Sequence, residues 1–210
     1  MKSKNLNLGF WLAAGLLFVV TLPLALRTPA NPTDEIPKLA ALMGWKPGTV
    51  VADIGAGDGS YSFAAEQEVG PTGRVFATEI SDEKLRTLRE QVAQRRLQNV
   101  VIVKSGDADT NLPPACCDAI FLRRVYHHLT KPLDFDASIL RSLKPDGKLA
   151  IIDFPPRPEY GRVEGVPPDR VNHGIYQKIL IAELGKAGFR VDKIMDDWPA
   201  ENYCVIFSRK

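Results

Sequence analysis

The sequence predicts an α/β fold: a doubly wound, mostly parallel seven-stranded sheet with an antiparallel last strand. Apolar runs of strand length alternate with segments of helix length, and strands of a parallel sheet covered on both faces are continuously apolar. The final two strand candidates are joined only by "WPAE" at 198–201, a link too short for a parallel crossover. The length of 210 residues and a hydrophobic content of 45% fit one folded domain, expected over residues 31–210.

The elements follow in chain order, each bounded by turn or capping residues. A linker runs into a short amphipathic helix within 31–45, which "KPG" ends. Ser81, Asp82 and Glu83 form the capped, acidic first turn of a charged helix. The predicted strands are 49–54, 74–80, 100–106, 117–125, 147–154, 190–197 and 202–210. The other predicted helices are 59–69, 81–97, 133–143 and 177–189.

The first thirty residues differ from the rest. Residues 8–26 carry no charge, with Lys2 and Lys4 before them and Arg27 after them. Their length is close to the roughly 20 residues that cross a bilayer, and a core helix is rarely apolar on every face. We expect 1–30 to be a signal peptide or a membrane anchor, and both alternatives stay open. The flanking charges place the domain outside the cytoplasm, either exported (periplasmic or extracellular) or anchored in the membrane.

Charge and cysteine usage argue against a nucleic-acid partner and against a disulfide framework. The net charge is +2; without residues 1–30 the chain has 24 cations and 25 anions, a net charge of −1. We find no basic stripe that would indicate a nucleic-acid partner. The three cysteines are too few for a disulfide framework and are expected to be small buried residues. The sequence does not predict an oligomeric state.

A glycine-rich loop follows the first strand in "DIGAGDG". Gly55, Gly57 and Gly59 permit a close backbone approach to a ligand and unusual φ angles. In an open α/β sheet, ligands bind at the carboxyl ends of the strands, and the first strand-to-helix turn usually forms the cradle. A tight turn without a ligand is the alternative, although three spaced glycines exceed what a turn requires.

Two carboxylates near the ends of the next strands point to adenosine. Glu79 ends the second strand, twenty residues after Gly59, where an acid can bind both ribose hydroxyls. Asp107 follows the third strand and can accept from an exocyclic amine. A dinucleotide fingerprint is G-x-G-x-x-G, whereas this loop reads G-x-G-x-G and has Ser60 at the place of the third glycine. Asp53 before the loop suits the ammonium group of methionine better than a diphosphate.

These residues resemble the class I S-adenosylmethionine-dependent methyltransferases over about residues 36–208. "VVADIGAGDG" is similar to their first motif, "VFATEI" to the second and "SGDAD" to the third. "CDAIFLRRVYHHL" and "LKPDGKLAIIDF" resemble the small-molecule group that includes the ubiquinone and menaquinone biosynthesis methyltransferases. The resemblance implies S-adenosyl-L-methionine as cofactor. It also implies that the methionine part is held by Asp53, Gly55, Gly57 and Gly59, the ribose by Glu79, and the adenine by Asp107 and Ala108. Ile80 would pack on the adenine ring, and Arg123 would line the floor of the cofactor site. The N-terminal segment departs from the family pattern, because the cofactor is made in the cytoplasm.

The catalytic candidates are the three histidines, His127, His128 and His173, which fall near the expected cleft. Methyl transfer needs a base only where the acceptor must lose a proton, and histidine is the usual proton carrier near neutral pH. Packing or capping roles are the alternative. A metal site from these histidines and Asp153 stays open as an alternative, but these residues lack any ligand-spacing signature, so no metal is predicted. Weaker catalytic candidates are Tyr126, Asp153 and Tyr176.

The loop 155–175 is long enough for a lid or a substrate wall. Its cations Arg157, Arg162 and Arg170 are either solvated surface charge or contacts for an anionic acceptor. The predicted function is methyl transfer to a small-molecule acceptor whose oxygen, carbon, nitrogen or sulfur atom the sequence does not identify. The alternatives are a nicotinamide-dependent oxidoreductase and an exported, non-catalytic binding module on the same fold.

Overall fold

The computed structural model describes residues 31–210, so the predicted signal or anchor segment at 1–30 lies outside the described residues. The strands are β1 (Val50–Ile54), β2 (Arg74–Glu79), β3 (Val100–Lys104), β4 (Cys117–Arg123), β5 (Leu143–Asp153), β6 (Phe189–Trp198) and β7 (Asn202–Arg209). The helices are α1 (Pro32–Met43), α2 (Ser60–Val69), α3 (Asp82–Arg95), α4 (Pro132–Ser142) and α5 (Gln177–Ala187). Within 31–210, no helix combines the length and the apolar character needed to span a bilayer.

All seven strands form one sheet in the order β3-β2-β1-β4-β5-β7-β6. β1 pairs in parallel with β2 and β4, and β4 pairs in parallel with β5. β7 is antiparallel to both β5 and β6. The predicted fold class is therefore confirmed, including the antiparallel pair that the short link at 198–201 requires.

Several predicted strand boundaries differ from the observed ones, and two of the differences have identifiable reasons. The predicted strand 117–125 stops at Arg123, because Arg124 has φ 56° and turns the chain into a 3₁₀ turn at Tyr126–His128. β5 begins at Leu143, four residues early, because Leu143 pairs with Cys117 before a bulge in the register. The first change decides where the histidines lie.

The sheet separates two apolar layers. One layer joins the sheet to α4 and α5, and includes Leu122, Ile139 and Leu180. The other packs α1 and α2 on the opposite face, with Ile36 and Phe63 among its buried members. Strand order reverses between β1 and β4, and a crevice at this point, at the carboxyl ends, is where ligands bind in such sheets.

The three cysteines are free thiols. Cys117 and Cys204 are fully buried and pack in the apolar layers, while Cys116 is half-buried. Burial raises the pKa of Cys204 to about 12, so this thiol is not a nucleophile near neutral pH. Cys117 and Cys204 thus behave as the small buried residues that the sequence predicts.

Candidate functional site

A cavity of about 520 Å³ opens at the carboxyl ends of β1, β2, β3 and β4. Five of the nine residues predicted to bind the cofactor line it: Gly55, Glu79, Ile80, Asp107 and Arg123. A smaller cavity of about 260 Å³ adjoins it, sharing Gly55 and Arg123, and is lined also by Asp53 and Gly57. The structure thus brings together residues that come from four separate segments of the sequence.

The glycines shape the loop between β1 and α2 by conformation and by close contact. Gly55 has φ 75°, and a Cβ there would lie 2.5 Å from Val125 Cγ2. Gly59 has φ 83°, and a Cβ there would lie 2.6 Å from Leu88 Cδ2. Residues with a side chain rarely adopt such φ angles, so both positions need glycine. Gly55 lines both cavities, whereas Gly59 lines neither.

Asp53 lies at the end of β1 beneath this loop. Only 3% of it is exposed, and its Oδ2 accepts a hydrogen bond of 2.6 Å from the Ser62 hydroxyl. Burial raises the pKa of Asp53 to about 7, and the nearby carboxylates of Asp58 and Glu79 act in the same direction, against the Ser62 hydrogen bond. A cationic ligand group in the small cavity would favour the ionised form.

Glu79 is held by the backbone at the end of β2. Its Oε1 accepts hydrogen bonds from the N–H groups of Ile80 (2.9 Å) and Ser81 (3.1 Å), and its Oε2 accepts from Gly57 N (3.1 Å). Ile80, the next residue, leaves 55% of its surface exposed at the cavity wall. A fixed carboxylate beside an exposed apolar side chain can bind a sugar hydroxyl pair and a flat ring.

Asp107 reaches the cavity from the loop after β3, and its carboxylate pairs with Lys131 Nζ at 2.7 Å. The hydrogen bond and charge of Lys131 hold the pKa of Asp107 below its usual value. Ala108 follows it and is half-buried. Sequence reasoning missed Lys131, because it lies 24 residues away in the chain, at the start of α4.

Arg123 forms part of the wall of both cavities. Its Nε and Nη2 donate to Glu35 Oε2 (2.8 Å) and Oε1 (3.1 Å), and its guanidinium lies 4.4 Å from the Tyr61 ring centroid. This bidentate geometry fixes the side chain. Glu35, of which 1% is exposed, was not predicted, because an acid in the first turn of a helix is usually only a favourable surface charge.

The three candidate histidines form one cluster. The His127 and His173 Nε2 atoms are 3.0 Å apart, and the His127 ring centroid lies 4.1 Å from that of His128. His127 Nδ1 lies 2.8 Å from Asp153 Oδ1, and His127 N donates to Asp153 Oδ2 at 3.2 Å. Donation from Nδ1 to the carboxyl group leaves the lone pair of Nε2 turned toward His173.

The histidines line a further cavity of about 420 Å³ together with Phe154, Tyr160 and two arginines. Arg124 and His128 belong to the walls of both this cavity and the cavity of about 520 Å³. Partial desolvation and the neighbouring His127 and His173 lower the pKa of His128 to about 4. At neutral pH this ring is therefore uncharged where the two cavities meet.

Of the weaker catalytic candidates, only Asp153 joins the cluster. Tyr126 is fully buried, and its hydroxyl lies 2.7 Å from Asp136 Oδ2 and 3.0 Å from Glu183 Oε2. Tyr176 is 48% exposed and lines a separate surface cavity. Neither Tyr126 nor Tyr176 lines the cavity that the histidines form.

The three loop arginines have three different environments. Arg157 reaches the histidine-lined cavity and pairs with Glu201 at 2.8 Å. Arg162 donates to the Val166 carbonyl. Arg170 is 2% exposed, so it is neither a solvated surface charge nor a contact for an acceptor. Its guanidinium pairs with Glu183 and donates to the carbonyls of Tyr126 (3.0 Å) and Leu129 (3.1 Å).

Comparison with known proteins identifies relatives. Residues 52–151 match the family model described as "Methyltransferase domain". The "Ubiquinone/menaquinone biosynthesis C-methyltransferase UbiE" of Ectopseudomonas mendocina is 31% identical over 114 residues, which cover 54% of this chain and 44% of that protein. The "Demethylmenaquinone methyltransferase" of Listeria monocytogenes is 29% identical over 112 residues, with coverages of 53% and 47%. The chain spans about half the length of the curated relatives it matches.

A solved structure matches over most of both chains. It is a SAM-dependent methyltransferase from Aquifex aeolicus, 30% identical, with a TM-score of 0.70. The match covers 82% of this chain and 88% of that one.

Proposed function

This chain belongs to the S-adenosylmethionine-dependent methyltransferases, and from that premise we propose that it transfers a methyl group from S-adenosyl-L-methionine to a small-molecule acceptor. One observation carries the proposal. A large cavity lined by the glycine loop and Glu79 shares a wall, formed by Arg124 and His128, with a second cavity lined by the histidines. Donor and acceptor can therefore occupy adjoining spaces, as in-line transfer requires.

The residues of the cavities of about 520 Å³ and 260 Å³ fit the cofactor. Asp53 would hold the methionine ammonium group, and the glycine loop would turn its backbone toward the methionine carboxylate. Glu79 would accept from the ribose hydroxyls, and the exposed face of Ile80 would pack on adenine, next to Asp107. When bound, the cofactor supplies a methyl carbon on a positively charged sulfur, which needs little further activation. The chain's task is to orient the acceptor and to exclude water.

The walls of the histidine-lined cavity favour an aromatic acceptor with an acidic group. Phe154 and Tyr160 provide aromatic surface, and Arg124 and Arg157 provide positive charge. A histidine ring nitrogen with a free lone pair would accept the proton that the acceptor loses. Two relatives, a ubiquinone/menaquinone biosynthesis C-methyltransferase and a demethylmenaquinone methyltransferase, support an aromatic acceptor.

The direct test is cofactor binding by the purified full chain, followed by a screen for a methylated product. We expect calorimetry to show one binding site per chain, which takes either S-adenosylmethionine or its demethylated product. Labelled methyl transfer is then measured on quinols, phenols, thiols and amines, and a phenol or quinol is the expected acceptor. Absence of binding of both compounds would contradict the function, whereas binding without transfer to any acceptor would indicate a binding module.

We expect cofactor affinity to rise with pH through the titration of Asp53. Its pKa is about 7, so the carboxylate that pairs with the ammonium group is mostly protonated at pH 5.5 and half ionised at pH 7. Affinity should therefore increase about 15-fold over this interval. Calorimetry at both values checks the change, with the Asp53→Asn variant expected to show a weak and nearly flat profile. Asp146→Asn is the control, because it removes an exposed carboxylate that lines neither of the two cavities.

We also propose that the domain functions outside the cytoplasm, delivered or anchored by residues 1–30. The uncharged run at 8–26 and the lysines before it support this location. Cell fractionation with N-terminal sequencing tests it: an intact N-terminus in the cytoplasmic fraction would contradict the proposal.

A further inference from the structure

We propose that His127, His128 and His173 bind a divalent transition-metal ion of the zinc class. Each offers one imidazole nitrogen, and these three atoms lie within 4.8 Å of one another. Metal–nitrogen bonds of about 2.0–2.1 Å place two nitrogens of one tetrahedral ion about 3.3 Å apart. The His127–His173 separation of 3.0 Å is close to this value. His128, which is exposed, needs the larger adjustment.

Asp153 holds His127 in the way that a carboxylate holds a metal-binding histidine. Asp153 is fully buried, and it accepts from His127 Nδ1, from His127 N and from Phe154 N at 2.8 to 3.2 Å. A carboxyl group that receives the far ring N–H fixes the tautomer and the orientation of a ligating histidine. The lone pair of Nε2 is then directed at the centre of the cluster, where the ion would lie.

His173 is positioned from a distant segment of the chain. Its carbonyl accepts from Arg157 N at 2.7 Å, forming an isolated strand-like bridge. Two segments 45 residues apart thus present their imidazoles to one point, which explains why the sequence spacing carries no metal signature. The full chain contains three histidines, and all of them lie in this cluster.

The surroundings leave a coordination position open. The cluster faces the cavity of about 420 Å³, whose other lining residues are Arg124, Phe154, Arg157 and Tyr160. Three neutral ligands and no carboxylate in this lining leave the ion its full double charge. Three protein ligands with an open fourth position are characteristic of catalytic zinc sites. An anionic oxygen or sulfur donor is the ligand that this position would take.

A metal ion at this position would take part in the proposed methyl transfer, and its catalytic role rests on that proposed function. A divalent ion at an acidic hydroxyl or thiol lowers the pKa of that group, so its proton would pass to solvent before methyl transfer. The ion would lie beside the wall shared with the cofactor cavity, because His128 belongs to both linings. Metal binding itself does not require transfer activity.

The test is metal binding by the full chain, purified without a histidine tag and stripped with a chelator. Titration with zinc sulfate should show one ion per chain, and substitution with Co²⁺ should give the absorption of a tetrahedral complex. His173→Gln should weaken zinc binding by more than about 100-fold, and Asp153→Asn by about 10- to 100-fold, as changes behind a ligand do. Cys116→Ser, which removes a thiol outside the cluster, should leave the affinity unchanged.

Failure of zinc to bind the stripped chain would overturn the inference, as would equal affinities of the wild type and the His173→Gln variant. Circular dichroism of His173→Gln checks that the loss is not unfolding. Calorimetry with S-adenosylmethionine separates the two proposals. Cofactor binding and transfer without zinc binding would leave the proposed function intact, and zinc binding without cofactor binding would leave the metal site intact.

Discussion

Replacing Glu79 with Gln is expected to weaken S-adenosylmethionine binding about 100-fold. The Glu79 carboxylate accepts from three backbone N–H groups and is 5% exposed. An amide presents one acceptor oxygen, and its NH₂ group would face donors on the remaining side. Hydrogen bonds to a charged group contribute about 1.5–3 kcal/mol each, and about 1.4 kcal/mol corresponds to a factor of ten in affinity. Titration calorimetry with the purified variant measures the change.

Glu83→Gln is the matched control for this substitution. Glu83 is exposed in the first turn of α3, four residues from Glu79, and carries the same charge. Its replacement should change cofactor affinity by less than about twofold, since exposed charges contribute little. Equal affinities of the wild type and Glu79→Gln would mean that Glu79 only orders the loop and does not bind the ribose.

Replacing Arg170 with Met is expected to lower the free energy of unfolding by about 3–5 kcal/mol, the cost of breaking a buried ion pair. The variant leaves Glu183 without its cation and leaves the Tyr126 and Leu129 carbonyls without donors. Burial already raises the pKa of the neighbouring Asp136 to about 7, and Glu183 adds to the shift. This pocket therefore tolerates unpaired negative charge poorly. Urea unfolding of both proteins gives the difference.

Arg162→Met serves as the control for Arg170, because it removes a guanidinium from the same loop whose contacts are to the Val166 and Pro167 carbonyls. Its effect should stay below about 1 kcal/mol. Adding Glu183→Leu to Arg170→Met should recover part of the loss, since both charges are then gone. A change of less than about 1 kcal/mol in Arg170→Met alone would contradict a structural role for the buried pair.

The sequence predicts the fold well because its signals are local. Apolar runs, glycine turns and the link at 198–201 each act within a few residues, and they specify the strands and the antiparallel pair. The end of β4 was missed, because the left-handed conformation of Arg124 has no signature in its residue type. The resulting 3₁₀ turn places Tyr126 in the interior and His127 beside Asp153.

The parts of the site that were not predicted depend on long-range pairing. Arg123 pairs with Glu35, which lies 88 residues away in the sequence. Arg170 pairs with Glu183, which lies 13 residues further on, within α5. Charged residues are almost never fully buried unless they are paired, so a single sequence favours the surface for Glu35 and for Arg170. The same distance in the chain hides the convergence of His173 with His127, whereas the cofactor loop is contiguous and was recognisable.

The anchoring of the loop 155–175 determines how an acceptor reaches its cavity. Arg170 holds one part of the loop to the carbonyls that flank His127 and His128, and the Ile175 N–H donates to the Phe154 carbonyl at 3.0 Å. Swinging this segment aside would expose a buried ion pair to water, a step as costly as local unfolding. We therefore expect the part of the loop from Arg170 to Ile175 to be a fixed wall and not a lid. Tyr160 lines the histidine-lined cavity and is 62% exposed, so we expect an acceptor to enter on this side without movement of the segment.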